Sequence, residues 1–157
     1  MGTGMQAQIV TPVGVHALDS GGPAIPCHRC GLCCERWQPL LTRADSERLA
    51  AHLGLSAAAF EMAYTQPYPL DDERRLLRQV DGHCVFLRYE GRHTTCTVHL
   101  ARPQACRDWQ PGLSRKECME GLARFADATG LIRLEDLYPD EADRREALRA
   151  LAPRGSP

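Results

Sequence analysis

The apolar positions of this chain hold no single period from end to end. Over residues 1–25 two short patches, Ile9-Val10 and Val13-Gly14-Val15, lie scattered among Gly, Pro and small residues. Neither helical nor strand spacing is sustained there, which predicts a flexible arm with His16 in solvent. Further on the spacing turns helical. Thr42 can cap a helix, with Asp45 three residues on, Leu49 and Leu53 on one face and Gly54 as the stop. Ser56 opens a second short helix that sets Phe60 and Tyr64 at i, i+4, and His52 reads as a helix-face residue. From Leu76 the pattern becomes β-leaning. Leu76–Val80 and His83–Leu87 flank the turn dipeptide Asp81-Gly82, and Thr94–Val98 is a third, β-branched run. A three-residue loop at Tyr89-Glu90-Gly91 would pair Arg88 with Arg92 and place Cys84 opposite Cys96 on one face. Ser114-Arg115-Lys116-Glu117 has the form of a capping box, predicting a helix to Thr129 with Gly130 as stop and Cys118, Leu122 and Phe125 facing inward. A last helix begins near Pro139-Asp140-Glu141, carries Leu148 and Leu151 inward and Arg144, Arg145 and Glu146 outward, and frays over Pro153–Pro157.

These elements predict an α+β fold: a small, metal-stabilised, loop-rich domain with short helices and a β-hairpin around a cysteine cluster. The expected division is an arm over 1–25, a cysteine-cluster domain over 26–130, and a helix with its tail over 131–157. Composition explains the need for metal. In 157 residues, 43% hydrophobic but only 6% aromatic, with Gly 13 and Pro 11, apolar burial is thin. Nineteen basic against twenty acidic residues leave a formal charge of −1, so no field steers the chain to nucleic acid or an anionic membrane. No run approaches the ~20 apolar residues of a membrane span. Met1–Gln6 lacks a basic stretch leading into an apolar one, and the expected location is cytoplasmic.

The candidate chemistry lies in the cysteines. Cys27-His28-Arg29-Cys30-Gly31-Leu32-Cys33-Cys34 holds four of the eight, and Cys84, Cys96, Cys106 and Cys118 are dispersed. Thiolate is the ligand form of cysteine, and overlapping C-x-x-C pairs let one short loop supply several corners of a metal site. A disulfide framework would need an oxidising compartment, and adjacent Cys33 and Cys34 could pair only in a strained ring. Reach suggests two sites. Cys27, Cys30 and Cys33 would be completed by Cys106, while Cys34 crosses to Cys84, Cys96 and Cys118. One site with spare cysteines is the rival arrangement.

Further residues attach to this set. Cys34-Glu35-Arg36-Trp37-Gln38-Pro39 and Cys106-Arg107-Asp108-Trp109-Gln110-Pro111 repeat Cys, Trp, Gln and Pro in one register, so Trp37 and Trp109 could each cover a metal site. Arg102 and Arg107 flank Cys106 and could offset thiolate charge. His83 and His99 adjoin cysteine strands and are the alternative ligands.

The knot, Gly82-His83-Cys84-Val85-Phe86-Leu87, Cys96-Thr97-Val98-His99 and Arg102-Pro103-Gln104-Ala105-Cys106-Arg107 together resemble the YkgJ-type cysteine-cluster family over roughly residues 26–120. That family is described as a zinc- or iron-chelating domain and looks related to the cluster-bearing part of flagellin lysine methylases. The resemblance implies metal binding, with iron–sulfur and zinc both proposed. From the residues, eight cysteines exceed the four of a single structural zinc, which leans toward an iron–sulfur cluster, the [4Fe–4S] type being favoured, while two four-cysteine zinc sites would use the same count. Expected roles are redox or cluster-bearing work with a redox or protein partner; a zinc-stabilised binding module and a metal- or cluster-handling protein are the alternatives. No phosphate loop, G-x-S-x-G or H-E-x-x-H is present, so any catalysis would sit at the metal.

Overall fold

A computed structural model describes residues 7–19, 21 and 24–152. In chain order its first elements are β1 (Gln8–Thr11), β2 (Gly14–Ala17), α1 (Leu32–Arg36), β3 (Leu40–Leu41), α2 (Arg43–Leu53) and α3 (Ala57–Tyr64). There follow β4 (Thr65–Tyr68), β5 (Asp71–Leu77), β6 (Gln79–Val80), β7 (His83–Cys84), β8 (Leu87–Glu90) and β9 (His93–Cys96). A 3₁₀ turn (His99–Ala101) leads to α4 (Gln104–Asp108), α5 (Lys116–Leu122), β10 (Leu131–Arg133), α6 (Leu134–Leu137) and α7 (Glu141–Leu151). The architecture is α+β, as the sequence predicts. Among the described residues no helix is long and apolar enough to cross a membrane.

The chain forms two compact units, one from its start to Leu32 and from Pro111 onward, the other from Cys33 to Gln110. The first unit is built on a sheet of order β10-β1-β2, in which β1 runs antiparallel to β2 and parallel to β10. Here the structure departs from the expected arm. Ile9 is 1% exposed and packs with Leu18, Ile132, Leu137 and Tyr138. The partner of β1 lies at Leu131–Arg133, so no local period could announce the strand. His16 bonds Thr11 Oγ1 through Nε2 at 3.1 Å. Residues 1–6 of the arm and the fraying expected over 153–157 lie outside the described residues.

In the same unit α5 ends at Leu122, well short of Thr129, and Arg115 caps it without a side-chain bond. The amides of Ala123, Arg124 and Phe125 each bond three residues back, tightening the helix end. Asp127 then accepts the amides of Thr129 and Leu131, and a carboxylate held this way favours a turn over further helix. α7 begins where predicted, with Asp140 accepting the amides of Ala142 and Asp143. Its Leu148 and Leu151 pack on the apolar cluster.

The second unit carries the sheet β3-β5-β4 and two small hairpins. α2 has the predicted capping box: Thr42 and Asp45 satisfy each other's amides, and Gly54 ends the helix at φ 70°. Phe60 is fully buried with Leu41, Leu49 and Leu77, and its ring lies 5.7 Å from that of Tyr64. Asp81 and Gly82 both have positive φ, 52° and 83°, as a tight primed turn between β6 and β7 requires. The next hairpin differs from expectation. Its loop is Gly91-Arg92, so Glu90 pairs with His93 and Leu87 with Cys96, whereas Cys84 pairs with Gln79 in the other hairpin. A two-residue loop with Gly91 at φ 64° matches strand twist, and that geometry overrides the longer loop.

Asp45 does more than cap. Its carboxylate, 1% exposed as a residue, accepts the amides of Thr42 and Gln104 and pairs with Arg48 at 2.6 Å; Arg48 in turn donates to the carbonyl of Arg102. Burial works against ionisation, but these donors outweigh it and hold the carboxyl below its ordinary value. A depressed carboxyl contributes stability above its unfolded pKa and loses it as pH falls through the folded value. Asp45→Asn should therefore destabilise the chain by roughly 1–3 kcal/mol at neutral pH. The melting-temperature gap between variant and wild type should narrow at about pH 3, below the ~3.9 of an ordinary Asp. An equal gap at both pH values would rule out the charged role.

Candidate metal centres

All eight cysteines are thiols within the described residues. The knot is a turn with two left-handed residues, Arg29 at φ 53° and Gly31 at φ 80°, which coil Cys27–Cys30 tightly before α1 begins at Leu32. Glycine takes that conformation at no steric cost, while Arg29 adopts it with its amide donating to Cys27 Sγ. The division between units falls inside the knot. Cys27, Cys30 and Cys118 belong to the first unit, and Cys33, Cys34, Cys84, Cys96 and Cys106 to the second.

In the second unit five thiols share one electrostatic neighbourhood. Cys33 and Cys34 ride on α1, Cys84 ends β7, Cys96 ends β9, and Cys106 sits in α4. Cys34 is pushed far up by its hydrogen bond with Cys33, then by burial and by repulsion from Cys33, Cys84 and Cys106. Burial raises Cys84, with Cys96 and Cys33 adding repulsion and the amide of Phe86 opposing. Burial pushes Cys106 up to about 12, reinforced by Cys84, Cys96 and Cys33 and opposed by Arg102. Cys96 is also raised by burial, against the amide of Val98 and the charge of Arg102. Alone, these groups stay protonated near neutrality. A bound cation would reverse the balance, since it favours thiolates and displaces their protons.

Backbone amides face two of these sulfurs. Each strand-end cysteine turns an amide two residues on toward its own sulfur, Phe86 for Cys84 and Val98 for Cys96, and the Thr97 amide donates to the Phe86 carbonyl at 2.9 Å. The two turns thus stand side by side, with donors aimed at sulfur. Cys106 is delivered by Pro103, whose carbonyl accepts the amides of Cys106 and Arg107, while Asp45 holds Gln104 at the helix start. Tyr89 Oη donates to Glu35 Oε1 at 2.7 Å and Gln79 Nε2 to the Glu35 carbonyl at 3.2 Å, fastening α1 to both hairpins.

The arrangement differs from the expected grouping of cysteines. Cys33 joins Cys34, Cys84 and Cys106 in the second unit, and Cys118 lies in the first unit with Cys27 and Cys30. One residue step along α1 cannot separate Cys33 from Cys34, whereas the turn before it separates Cys30 from both. The tryptophan echo becomes a contact: the rings of Trp37 and Trp109 meet edge to face at 4.6 Å, with Trp37 52% exposed. Arg102 acts on Cys96 and Cys106 by charge; Arg107 is exposed and donates to the Arg102 carbonyl. His83 Nδ1 stands 2.9 Å from its neighbour's carbonyl, that of Cys84, and His99 is exposed, 3.4 Å from Arg102.

In the first unit Cys30 and Cys118 are buried and Cys27 is exposed, its sulfur accepting the Arg29 amide at 3.4 Å. Two long-range bonds hold the knot to its unit: Tyr138 Oη donates to the Pro26 carbonyl and an Arg124 nitrogen to the Cys30 carbonyl. His28, passed over in the sequence, is 2% exposed and edge-on to Phe125 at 5.7 Å. Its place inside a C-x-x-C pair was the available signal. Among the described residues, no three or more His, Cys, Asp or Glu side chains are grouped so that they could hold a metal ion as they stand, so ligation requires side chains to adjust.

Residues 26–120 match the family model CxxCxxCC, described as a "Putative zinc- or iron-chelating domain". No curated protein and no solved structure matches the chain. The match spans both thiol groups and more than half of the sequence, and the chain belongs to this CxxCxxCC family of zinc- or iron-chelating domains.

Proposed function

We propose that the chain is an iron–sulfur protein, its second unit carrying a cluster on thiolates drawn from Cys33, Cys34, Cys84, Cys96 and Cys106, and that it serves a redox or cluster-bearing accessory role. The supporting observation is the mutual repulsion among these five cysteines, more than one mononuclear zinc can use. Bound there, a cluster would supply one-electron chemistry. The chain's residues would set its surroundings: amides of Phe86 and Val98 toward sulfur, Arg102 offsetting thiolate charge, and the Trp37–Trp109 pair limiting water. Arg107 contributes through its bond to the Arg102 carbonyl. A second reading, a four-thiolate zinc module, is favoured by the paired turns at Cys84 and Cys96, each with an amide directed to its sulfur.

Anaerobic purification decides between them. The expected protein is coloured, contains iron and acid-labile sulfide, and bleaches on dithionite; a colourless protein with stoichiometric zinc would establish the zinc module instead. Metal and folding should be coupled, because sites of this kind supply folding free energy. Cys33→Ala with Cys84→Ala should abolish the cooperative circular-dichroism melt of much of residues 33–110, and a melt unchanged by the double variant would count against any metal there. Arg102→Gln removes a cation from the thiolates and should lower the reduction potential more than Arg107→Gln does. Equal potentials in both variants would remove Arg102 from this role.

A further inference from the structure

Gly121 lies in α5, three residues after Cys118 and so on the same face of the helix. A Cβ at this position would stand 2.2 Å from Cys30 Sγ, 2.9 Å from Cys30 Cβ and 3.4 Å from His28 Nε2. No alanine fits such a space, although Gly in a helix interior ordinarily costs about 1 kcal/mol relative to Ala. The bare backbone is therefore a cradle occupied by two donor atoms from the knot. Both distances run from one point, so Cys30 Sγ and His28 Nε2 are no farther apart than 2.2 Å and 3.4 Å laid end to end. Thiolate and imidazole on one tetrahedral zinc stand about 3.6 Å apart, given bonds of ~2.3 and ~2.1 Å. That bound admits the spacing of two ligands on one ion.

Two more thiols of the same unit flank this region. Buried Cys118 stands three residues before Gly121 on the same helix face, and Cys27 lines one cleft with His28. The Tyr138 hydroxyl donates to the Pro26 carbonyl at 3.0 Å, next to Cys27 in the chain. A cleft of about 320 Å³ lined by Cys27, His28, Tyr138 and Asp140 opens on the knot and offers an ion a way in. We propose that the first unit binds its own mononuclear divalent ion of the zinc type, held by Cys27, Cys30 and Cys118 with the His28 imidazole as fourth ligand.

The donor set selects the ion. Three thiolates and an imidazole form a closed structural zinc set, with net charge −1 on the site rather than the −2 of four thiolates. Borderline-soft zinc suits this mixture, whereas hard oxygen-seeking cations do not. Unlike the five thiols of the second unit, this set has no surplus sulfur for a multinuclear centre. The inference rests on the reading of the chain as metal-binding.

Cadmium NMR of the full chain with isotope-labelled histidine tests it, cadmium standing in for zinc. The expected result is a scalar coupling between one bound cadmium and one imidazole nitrogen, lost in His28→Cys while cadmium content is retained. His28→Gln should weaken that one ion by at least about tenfold, the scale on which even outer partners of ligands act. Cadmium bound without any imidazole coupling, or coupling that survives in His28→Cys, overturns the site. The wild-type spectrum alone decides whether an imidazole is a ligand, so a variant that fails to fold does not shield the proposal. A chain that takes up neither cadmium, zinc nor iron overturns the broader metal-binding reading as well.

Discussion

Thiols crowded into partial burial resist ionisation twice, once because water is removed and again because each thiolate repels the next. In the second unit this constraint governs five side chains carried by a helix, two hairpin ends and a loop helix. A fold that gathers such groups without a cation keeps them neutral, small and weakly bonding. With a cation the same crowding becomes multidentate attraction. Amides and Arg102 oppose burial at the sulfurs where they act.

Ordinary interactions bring these sulfurs together. Asp45 satisfies α2 at one end and the start of α4 at the other, so a capping carboxylate also fixes the segment that carries Cys106. Glu35 anchors α1, and with it Cys33 and Cys34, to both hairpins. These bonds join residues tens of positions apart, and they matter in a chain whose apolar cores are modest. Each unit keeps its own apolar cluster, around Phe60 and Leu77 in one and Phe125 and Ile132 in the other.

The knot serves the two units differently because of its backbone. A left-handed Gly31 separates Cys30 from Cys33, and α1 then keeps Cys33 and Cys34 together. Eight residues thus provide two thiols to each unit. The units also differ in content: Cys33, Cys34, Cys84, Cys96 and Cys106 lie in the second, and Cys27, Cys30, Cys118 and the buried His28 in the first.

Local chemistry determined what the sequence could state alone. The caps at Thr42, Ser56 and Asp140, the stop at Gly54 and the turn at Asp81-Gly82 depend on residues within a few positions, and each was legible. The metal-binding character was equally plain, because thiol spacing within the knot is a property of the chain. Tertiary structure decided the rest. The strand at Gln8–Thr11 exists because Leu131–Arg133 pairs with it, and α5 stops early because Asp127 binds the amides beyond it. The hairpin register followed the twist preferred by a two-residue loop, which moved Cys84 away from the expected place opposite Cys96. Which cysteines keep company, and the burial of His28 beside Gly121, depend on contacts between segments some ninety positions apart. No local period encodes such contacts, since their energy is gained only when both segments leave water together.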